Sequence, residues 1–191
     1  ARLVASTVRR PGAAPELAPA AEEEGGSEIP VPAFLARLGR KLLGAGQRAL
    51  YEGWYQAKVK GAAFVPHDRA FLVVANHSSH LDMGLVKVAL GEEGERLSAL
   101  AARDYFFDTP VKRAYFENFT NLIPMEREGS LRTSLRAAAE ALRRGYHLLI
   151  FPEGTRSRDG SLAPFYPTAC YLSLHCGVDV LPAWISGTHD A

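Results

Sequence analysis

Residues 70–82 read Ala-Phe-Leu-Val-Val-Ala-Asn-His-Ser-Ser-His-Leu-Asp, and this stretch indicates the fold class. Its first half, Ala70 to Ala75, is an uninterrupted apolar run, as expected for a strand that is buried on both faces. The polar residues that follow lead into a helical pattern, in which apolar side chains recur at residues 83, 85, 86 and 88. A fully buried strand that runs directly into a helix is typical of a parallel sheet with helical connections.

The same alternation of strands and helices continues along the chain. Further strands are predicted at 59–65, 97–102, 147–151 and 178–185, and further helices at 130–144 and 168–176. Ser130 is the predicted N-cap of the first of these helices, and Gly145 and Gly177 are predicted to end the two helices. The pattern therefore predicts a single α/β domain with a largely parallel, mixed sheet flanked by helices. Active sites of such sheets lie beyond the carboxyl ends of the strands.

Two segments with a different composition precede this domain, which is predicted to span residues 58–191. Residues 1–32 are rich in alanine, proline and glutamate and are predicted to be a flexible linker, because they bury too little apolar surface to offset their ordering entropy. Residues 33–57 are predicted to form a basic amphipathic helix. The net charge of the whole chain is +1, whereas residues 34–60 carry six basic residues and one acidic residue.

The basic helix has two interpretations. In the first, the helix packs on its own domain and its basic face is exposed to solvent. In the second, it lies on an anionic membrane surface with Trp54 and Tyr55 at one end. No stretch of the sequence reaches the roughly 20 apolar residues of a membrane span. Cys170 and Cys176 lack metal-site or redox spacing and are interpreted as reduced, as in a cytosolic or cytosol-facing protein.

His77 and Asp82 are the first candidates for chemistry. His77 lies in the turn after the strand and Asp82 in the first turn of the helix, so the carboxylate is in reach of one ring nitrogen and leaves the other to act as a base. Alternatively, Asp82 forms a capping box with Ser79, and His77 satisfies a backbone carbonyl. A metal site formed by His77, His80 and Asp82 is less favoured, since the spacing lacks the helical His pair of a zincin.

The second polar cluster is Phe151-Pro152-Glu153-Gly154-Thr155-Arg156-Ser157-Arg158, again at the end of a predicted strand. Backbone amides around Gly154, the Thr155 hydroxyl and the Arg156 guanidinium suit a phosphate or a developing oxyanion. The plain alternative is a polar surface turn.

Together the two clusters resemble the blocks of the glycerolipid acyltransferases, the lysophosphatidic acid acyltransferase-like enzymes. Residues 76–82 match the family's N-H-x-S-x-x-D block, and residues 151–157 match its F-P-E-G-T-R-S block. Asn121 to Arg127 lies where the family has a G-x-x-F-I-D-R-like block, and Val180-Leu181-Pro182-Ala183 is similar to the fourth block. The resemblance covers about residues 58–191 and implies a glycerol-3-phosphate acyltransferase-like fold.

The resemblance also implies a role for each matching residue. His77 would deprotonate the acceptor hydroxyl, which attacks the thioester of acyl-CoA or acyl carrier protein, and Asp82 would orient His77. Gly154 would help to hold the oxyanion or the donor. The acceptor would be bound by Glu153, Thr155, Arg156 and Arg127, the last of which pairs with a phosphate, and Pro182 would shape the acyl-chain side. No metal or cofactor is implied, and nucleic acid is not an expected partner.

The second block departs from the family pattern. Asn121 replaces its glycine and Pro124-Met125 its aromatic–aliphatic pair, which leaves Arg127 as the firm match. A phosphate-bearing acceptor is therefore less well supported than acyl transfer itself. The chain also starts without Met and stops just past the fourth block, so it is expected to be part of a longer polypeptide whose acyltransferase domain is truncated at its C-terminus.

The sequence thus predicts an O-acyltransferase of phospholipid biosynthesis that acts on a lysophospholipid or a related lipid alcohol. Because such substrates are lipids, the basic helix is expected to hold the cytoplasmic enzyme peripherally at a membrane. The alternatives are a His/Asp-dependent hydrolase, with or without a metal, and a non-catalytic lipid-binding domain of a larger protein.

Overall fold

The computed structural model describes residues 32–102, 122–125 and 131–189. The predicted linker falls outside these residues apart from Pro32, and so do Arg127 and the predicted N-cap Ser130. The helices are α1 (Ala33–Arg48), α2 (Asp82–Ala89), α3 (Leu131–Arg143) and α4 (Thr168–Cys176). The strands are β1 (Phe71–Ala75), β2 (Leu97–Ala102), β3 (Leu122–Met125), β4 (His147–Ile150) and β5 (Asp179–Ala183).

The five strands form one sheet in the order β3-β2-β4-β1-β5, and each neighbouring pair is parallel. This confirms the predicted α/β class with a largely parallel sheet flanked by helices. Strand β1 lies between β4 and β5, with Val74 opposite Ile150 and Ala75 opposite Ala183. Because all three strands run in one direction, the loops that follow them leave from the same edge of the sheet.

Both faces of the sheet are buried, which explains the continuous apolar runs in the strands. On one face, Phe71, Val73 and Leu149 pack with Leu85 and Val86 of α2. On the other face, Leu72, Leu148 and Ile150 pack with residues of α3 and α4, namely Ala138, Ala139, Leu142, Ala169 and Leu172. Helix α2 is thus held against the sheet by its apolar side, and this places its first residue, Asp82, beside the end of β1.

The predicted strand at 59–65 is wrong. Gly61 adopts a positive φ of 85°, and Ala62–Phe64 form a short 3-10 helix in which Phe64 N–H donates to Gly61 O. A left-handed glycine interrupts an extended chain, so this segment does not form a strand. The predicted helix at 33–57 is not one continuous α-helix. Helix α1 ends at Arg48, and Ala49–Trp54 continue as a π-helix.

Another group of polar side chains, around Glu93, lies at the amino-terminal end of β4. Glu93 is buried and receives hydrogen bonds from the imidazoles of His67 and His147 and from Arg96. Burial opposes ionisation of Glu93, but these donors outweigh it and lower its pKa to about 2. The pKa of the buried His147 is lowered by desolvation, so its neutral form is favoured in the folded protein.

We expect Glu93→Gln to destabilise the fold more at neutral pH than in acid. The low folded pKa of Glu93 contributes stability above its unfolded value near 4.5, and this contribution is lost as the pH falls toward 2. The variant should lose about 1–3 kcal/mol of unfolding free energy at pH 7, and the difference from wild type should narrow below pH 4.5. Urea unfolding at pH 7, 5 and 3.5 measures this, with the exposed Glu92→Gln as the control. An equal loss at every pH would contradict the assignment.

Candidate active site

Three loops meet at the carboxyl edge of the sheet. Residues 76–81 follow β1, residues 151–157 follow β4, and residues 184–188 follow β5. The parallel pairing of these three strands therefore brings together the two polar clusters that the sequence singled out. It adds a third loop, the one after β5, to the same edge.

His77 and Asp82 form a hydrogen-bonded pair. His77 Nδ1 lies 2.9 Å from Asp82 Oδ2, and the imidazole side chain keeps 20% of its surface exposed while Asp82 is fully buried. With Nδ1 donating to the carboxylate, Nε2 on the far side of the ring is left as a proton acceptor. This arrangement has the geometry of a general base held by an orienting acid.

The two interpretations of Asp82 hold at the same time. Its Oδ2 also accepts the backbone N–H groups of Ser78 at 2.7 Å and Ser79 at 2.8 Å, so the carboxylate caps the turn that leads into α2. Burial raises the pKa of Asp82, but hydrogen bonds from His77, Ser79 and Ser78, together with the nearby Thr188 hydroxyl, outweigh that effect and hold the pKa below its ordinary value. Asp82 is therefore ionised at neutral pH, as the orienting role requires.

Phe151 supports the ring of His77. The two rings stack with their centroids 3.9 Å apart and their planes 11° from parallel. Phe151 is the residue directly after β4, and stacking on it limits rotation of the imidazole. Sequence reasoning placed Phe151 in a motif but assigned it no contact with His77, since only strand pairing brings the two together.

The backbone of His77 is held from both sides by the loop after β4. Its N–H donates to Glu153 Oε1 at 2.8 Å, and its carbonyl accepts from Ser157 N–H at 2.8 Å. The other oxygen of Glu153 accepts the N–H of Ala163 at 2.9 Å. The buried Glu153 thus uses both carboxylate oxygens to join three segments of backbone. In the structure the Glu153 carboxylate bridges backbone segments, whereas the family resemblance implied that Glu153 binds the acceptor.

Gly154, Thr155 and Arg156 form the exposed turn of the second cluster. Gly154 has a φ of 68°, and a Cβ there would lie 3.0 Å from the ring of Tyr166, so both conformation and space favour glycine. Thr155 and Arg156 are exposed, and the residue after them, Ser157, is hydrogen-bonded to the backbone of His77. Pro182 is exposed on the edge strand β5, opposite Val74. Arg127 lies outside the described residues.

Tyr51 connects the π-helix after α1 to this site. Its hydroxyl donates to Leu81 O at 2.7 Å, and its ring occupies the space that a side chain at Gly84 would need. Burial, with Asp82 and Tyr55 nearby, raises the pKa of Tyr51 to about 12. The residue patterns did not single out Tyr51. The sequence signal that could have found it is a tyrosine near the end of the predicted amphipathic helix.

A metal site at His77, His80 and Asp82 finds no support in this geometry. Within the parts of the chain that the structure describes, no three His, Cys, Asp or Glu side chains are grouped so that they would hold a metal ion. Asp82 Oδ2 already accepts three hydrogen bonds. Cys170 and Cys176 are both free thiols.

The chain is similar to known acyltransferases in both sequence and structure. The family model described as Acyltransferase matches residues 56–186. The human 1-acyl-sn-glycerol-3-phosphate acyltransferase alpha is 28% identical over 137 residues, which cover 71% of this chain and 47% of that protein. The human beta enzyme is 31% identical over 142 residues, covering 68% of this chain and 50% of that protein. The chain thus spans about half the length of these relatives.

Other matches agree with these. The chloroplastic 1-acyl-sn-glycerol-3-phosphate acyltransferase BAT2 of Brassica napus is 30% identical over 138 residues, covering 71% of this chain and 38% of that protein. The crystal structure of the 1-acyl-sn-glycerophosphate (LPA) acyltransferase PlsC from Thermotoga maritima superposes with a TM-score of 0.60 at 28% identity. That superposition covers 82% of this chain and 64% of the bacterial chain.

Proposed function

The chain belongs to the glycerolipid acyltransferase family, and on that premise we propose that it transfers a fatty acyl group from a thioester to the hydroxyl of lysophosphatidic acid or a close analogue. The donor is acyl-CoA or acyl carrier protein. The relatives named above are 1-acyl-sn-glycerol-3-phosphate acyltransferases, and this supports the choice of acceptor. The observation that carries the proposal is the His77–Asp82 pair at the carboxyl edge of the sheet.

The proposed mechanism is direct transfer by general base catalysis. His77 Nε2 removes the proton of the acceptor hydroxyl as its oxygen forms a bond to the thioester carbonyl carbon. The tetrahedral intermediate then collapses, the carbon–sulfur bond breaks, and the imidazolium returns the proton to the thiolate. Asp82, already ionised, stabilises the imidazolium through the 2.9 Å hydrogen bond. The sequence of steps forms no acyl-enzyme and calls for no cofactor.

Acceptor binding is assigned to the turn of the second cluster. Arg156 and Thr155 are exposed beside the His77 loop and offer a cation and a hydroxyl to a phosphate. Gly154 lets its backbone approach the reacting carbonyl closely, because it carries no side chain. Arg127 is proposed as a second cation for the acceptor phosphate, and Pro182 as part of the acyl-chain side.

An acceptor screen tests this function. The protein is incubated with a long-chain acyl-CoA and single candidate acceptors, and free thiol is followed while the lipid product is identified by mass spectrometry. We expect thiol release that depends on lysophosphatidic acid and yields phosphatidic acid in equal amount. Thiol release without acceptor would instead indicate a hydrolase. Binding of lipid with no turnover under any condition would indicate a non-catalytic domain.

We further propose that α1 and the π-helix after it hold the enzyme peripherally on the cytoplasmic face of a membrane. Their large apolar side chains are exposed, and this set comprises Phe34, Leu35, Leu38, Leu42, Leu50 and Trp54. Exposed Lys41 and Arg48 add positive charge to the same segment. An exposed apolar stripe with basic residues beside it suits an anionic lipid surface. None of the helices in the described ranges has the length and hydropathy to cross a membrane.

Flotation with vesicles tests the membrane contact. The double variant Leu38→Ser/Leu42→Ser should reduce the fraction that floats with anionic vesicles by about tenfold or more, because two side chains no longer enter the lipid. Leu174→Ser is a matched control, since Leu174 on α4 is 57% exposed against 52% and 64% for the two test residues. High salt should weaken flotation of the wild type. Equal flotation of the double variant and the control would exclude this contact.

A further inference from the structure

The two oxygens of the Asp82 carboxylate are in very different surroundings. Oδ2 accepts hydrogen bonds from His77, Ser78 and Ser79. Oδ1 is equally buried but has no hydrogen-bond partner. A buried carboxylate oxygen without a donor is costly, so this one calls for a partner from the surrounding structure.

Thr188 offers the missing donor. It lies in the loop after β5, it is buried, and its Oγ1 also has no hydrogen-bond partner. The Thr188 hydroxyl nevertheless acts on Asp82, because it is one of the groups that lower the pKa of this carboxyl. The pair is not in hydrogen-bond geometry in this structure, but a hydroxyl hydrogen rotates freely and can turn toward an acceptor such as Oδ1.

The loop that carries Thr188 is tied to the His77 loop by Asn76. The Asn76 side chain donates to Ile185 O at 2.8 Å and accepts from Ile185 N–H at 2.7 Å, across 109 residues of sequence. Gly187 then turns the chain with a φ of 82°. Two hydrogen bonds to one residue fix both the position and the direction of the backbone at Ile185, three residues before Thr188.

We propose that Thr188 is a positioning residue that donates its hydroxyl to Asp82 Oδ1 and thereby keeps Oδ2 directed at His77 Nδ1. The side chain of an aspartate turns about its Cβ–Cγ bond, and one donor on each oxygen stops that rotation. This inference rests on the proposed function, in which the His77–Asp82 pair acts as the base. Thr188 itself touches neither substrate.

Four variants test the role in catalysis. Thr188→Val keeps the shape and removes the hydroxyl, while Thr188→Ser and Thr188→Ala form a second pair that differs in the hydroxyl alone. Thr133→Val, at an exposed position on α3, is the matched control. We expect kcat to fall about tenfold in Thr188→Val and Thr188→Ala, with KM for the acceptor nearly unchanged, and to return toward wild type in Thr188→Ser. Thermal unfolding reports the folded fraction of each variant.

The pH dependence separates positioning from a merely structural role. The titratable groups that face Asp82 are His77 in the same loop and Tyr51 from the π-helix, and both stay in place in every variant. Without the Thr188 hydroxyl the pKa of the Asp82 carboxyl should rise, so the acid limb of the rate profile should move to higher pH. A loss of folded protein alone would lower the rate and leave that limb unmoved.

A measurement without turnover completes the test. The ¹³C signal of the Asp82 carboxyl, assigned with Asp82→Asn, should titrate at higher pH in Thr188→Val and Thr188→Ala than in wild type and Thr188→Ser. If the wild type transfers no acyl group to any acceptor, the proposed function fails while this titration still decides the contact. Unchanged titration in both Thr188→Val and Thr188→Ala would overturn the inference. If Thr188→Val does not fold, the Ser and Ala variants decide alone.

Discussion

Replacing His77 with alanine is expected to lower the rate of acyl transfer by about 10²–10⁴-fold. The variant removes the imidazole that takes the proton from the acceptor hydroxyl and that is hydrogen-bonded to Asp82. The side chain is partly exposed and held by one hydrogen bond and one ring stack, so its loss should leave the fold largely intact. Thiol release from acyl-CoA in the presence of acceptor measures the effect.

The control for this variant is His67→Ala. His67 is an exposed histidine at the opposite edge of the sheet, where it contacts Glu93 rather than the candidate active site. We expect it to keep the wild-type rate per folded molecule. If His77→Ala turned over thioester as fast as wild type at equal folded fraction, His77 would not be the base.

Glu153→Gln is expected to have the second largest effect, on stability and rate together. Glu153 accepts backbone N–H groups on both carboxylate oxygens, one from His77 and one from Ala163. A glutamine places an NH₂ group against one of these donors, so a buried hydrogen bond is lost and a buried donor is left unpaired. The expected cost is about 2–4 kcal/mol of unfolding free energy. Because the backbone of His77 shifts with it, kcat should fall by at least about tenfold.

The kinetic pattern of Glu153→Gln distinguishes two roles. If Glu153 bridges backbone segments, the variant should have lower stability and lower kcat, with little change in KM for the acceptor. Direct binding of the acceptor by Glu153, as suggested by the sequence motif, predicts a higher KM and a smaller change in stability. Urea unfolding and steady-state kinetics measure both, with Glu92→Gln as an exposed control. Wild-type stability in Glu153→Gln would contradict the bridge.

Much of the local structure was predictable from residue patterns alone. Strand β2 and helix α4 have the predicted bounds, because a short apolar run bounded by turn residues and a helix ended by Gly177 are local signals. The segment at 59–65 was not predictable in the same way. Its apolar residues suit a short strand, but Gly61 adopts the left-handed conformation and a 3-10 helix follows it.

The sequence by itself determined the α/β class and the two polar clusters, since buried strands and the residues that end them are encoded by neighbours in the chain. Only the tertiary structure decided which side chains meet. Phe151 stacks on His77, Glu153 holds the backbone of His77 from 76 residues away, and Asn76 binds Ile185 in the loop that carries Thr188. These contacts depend on the strand order β4-β1-β5, which places three distant loops at one edge. Strand order results from packing the whole sheet between its helices, and no local pattern specifies it.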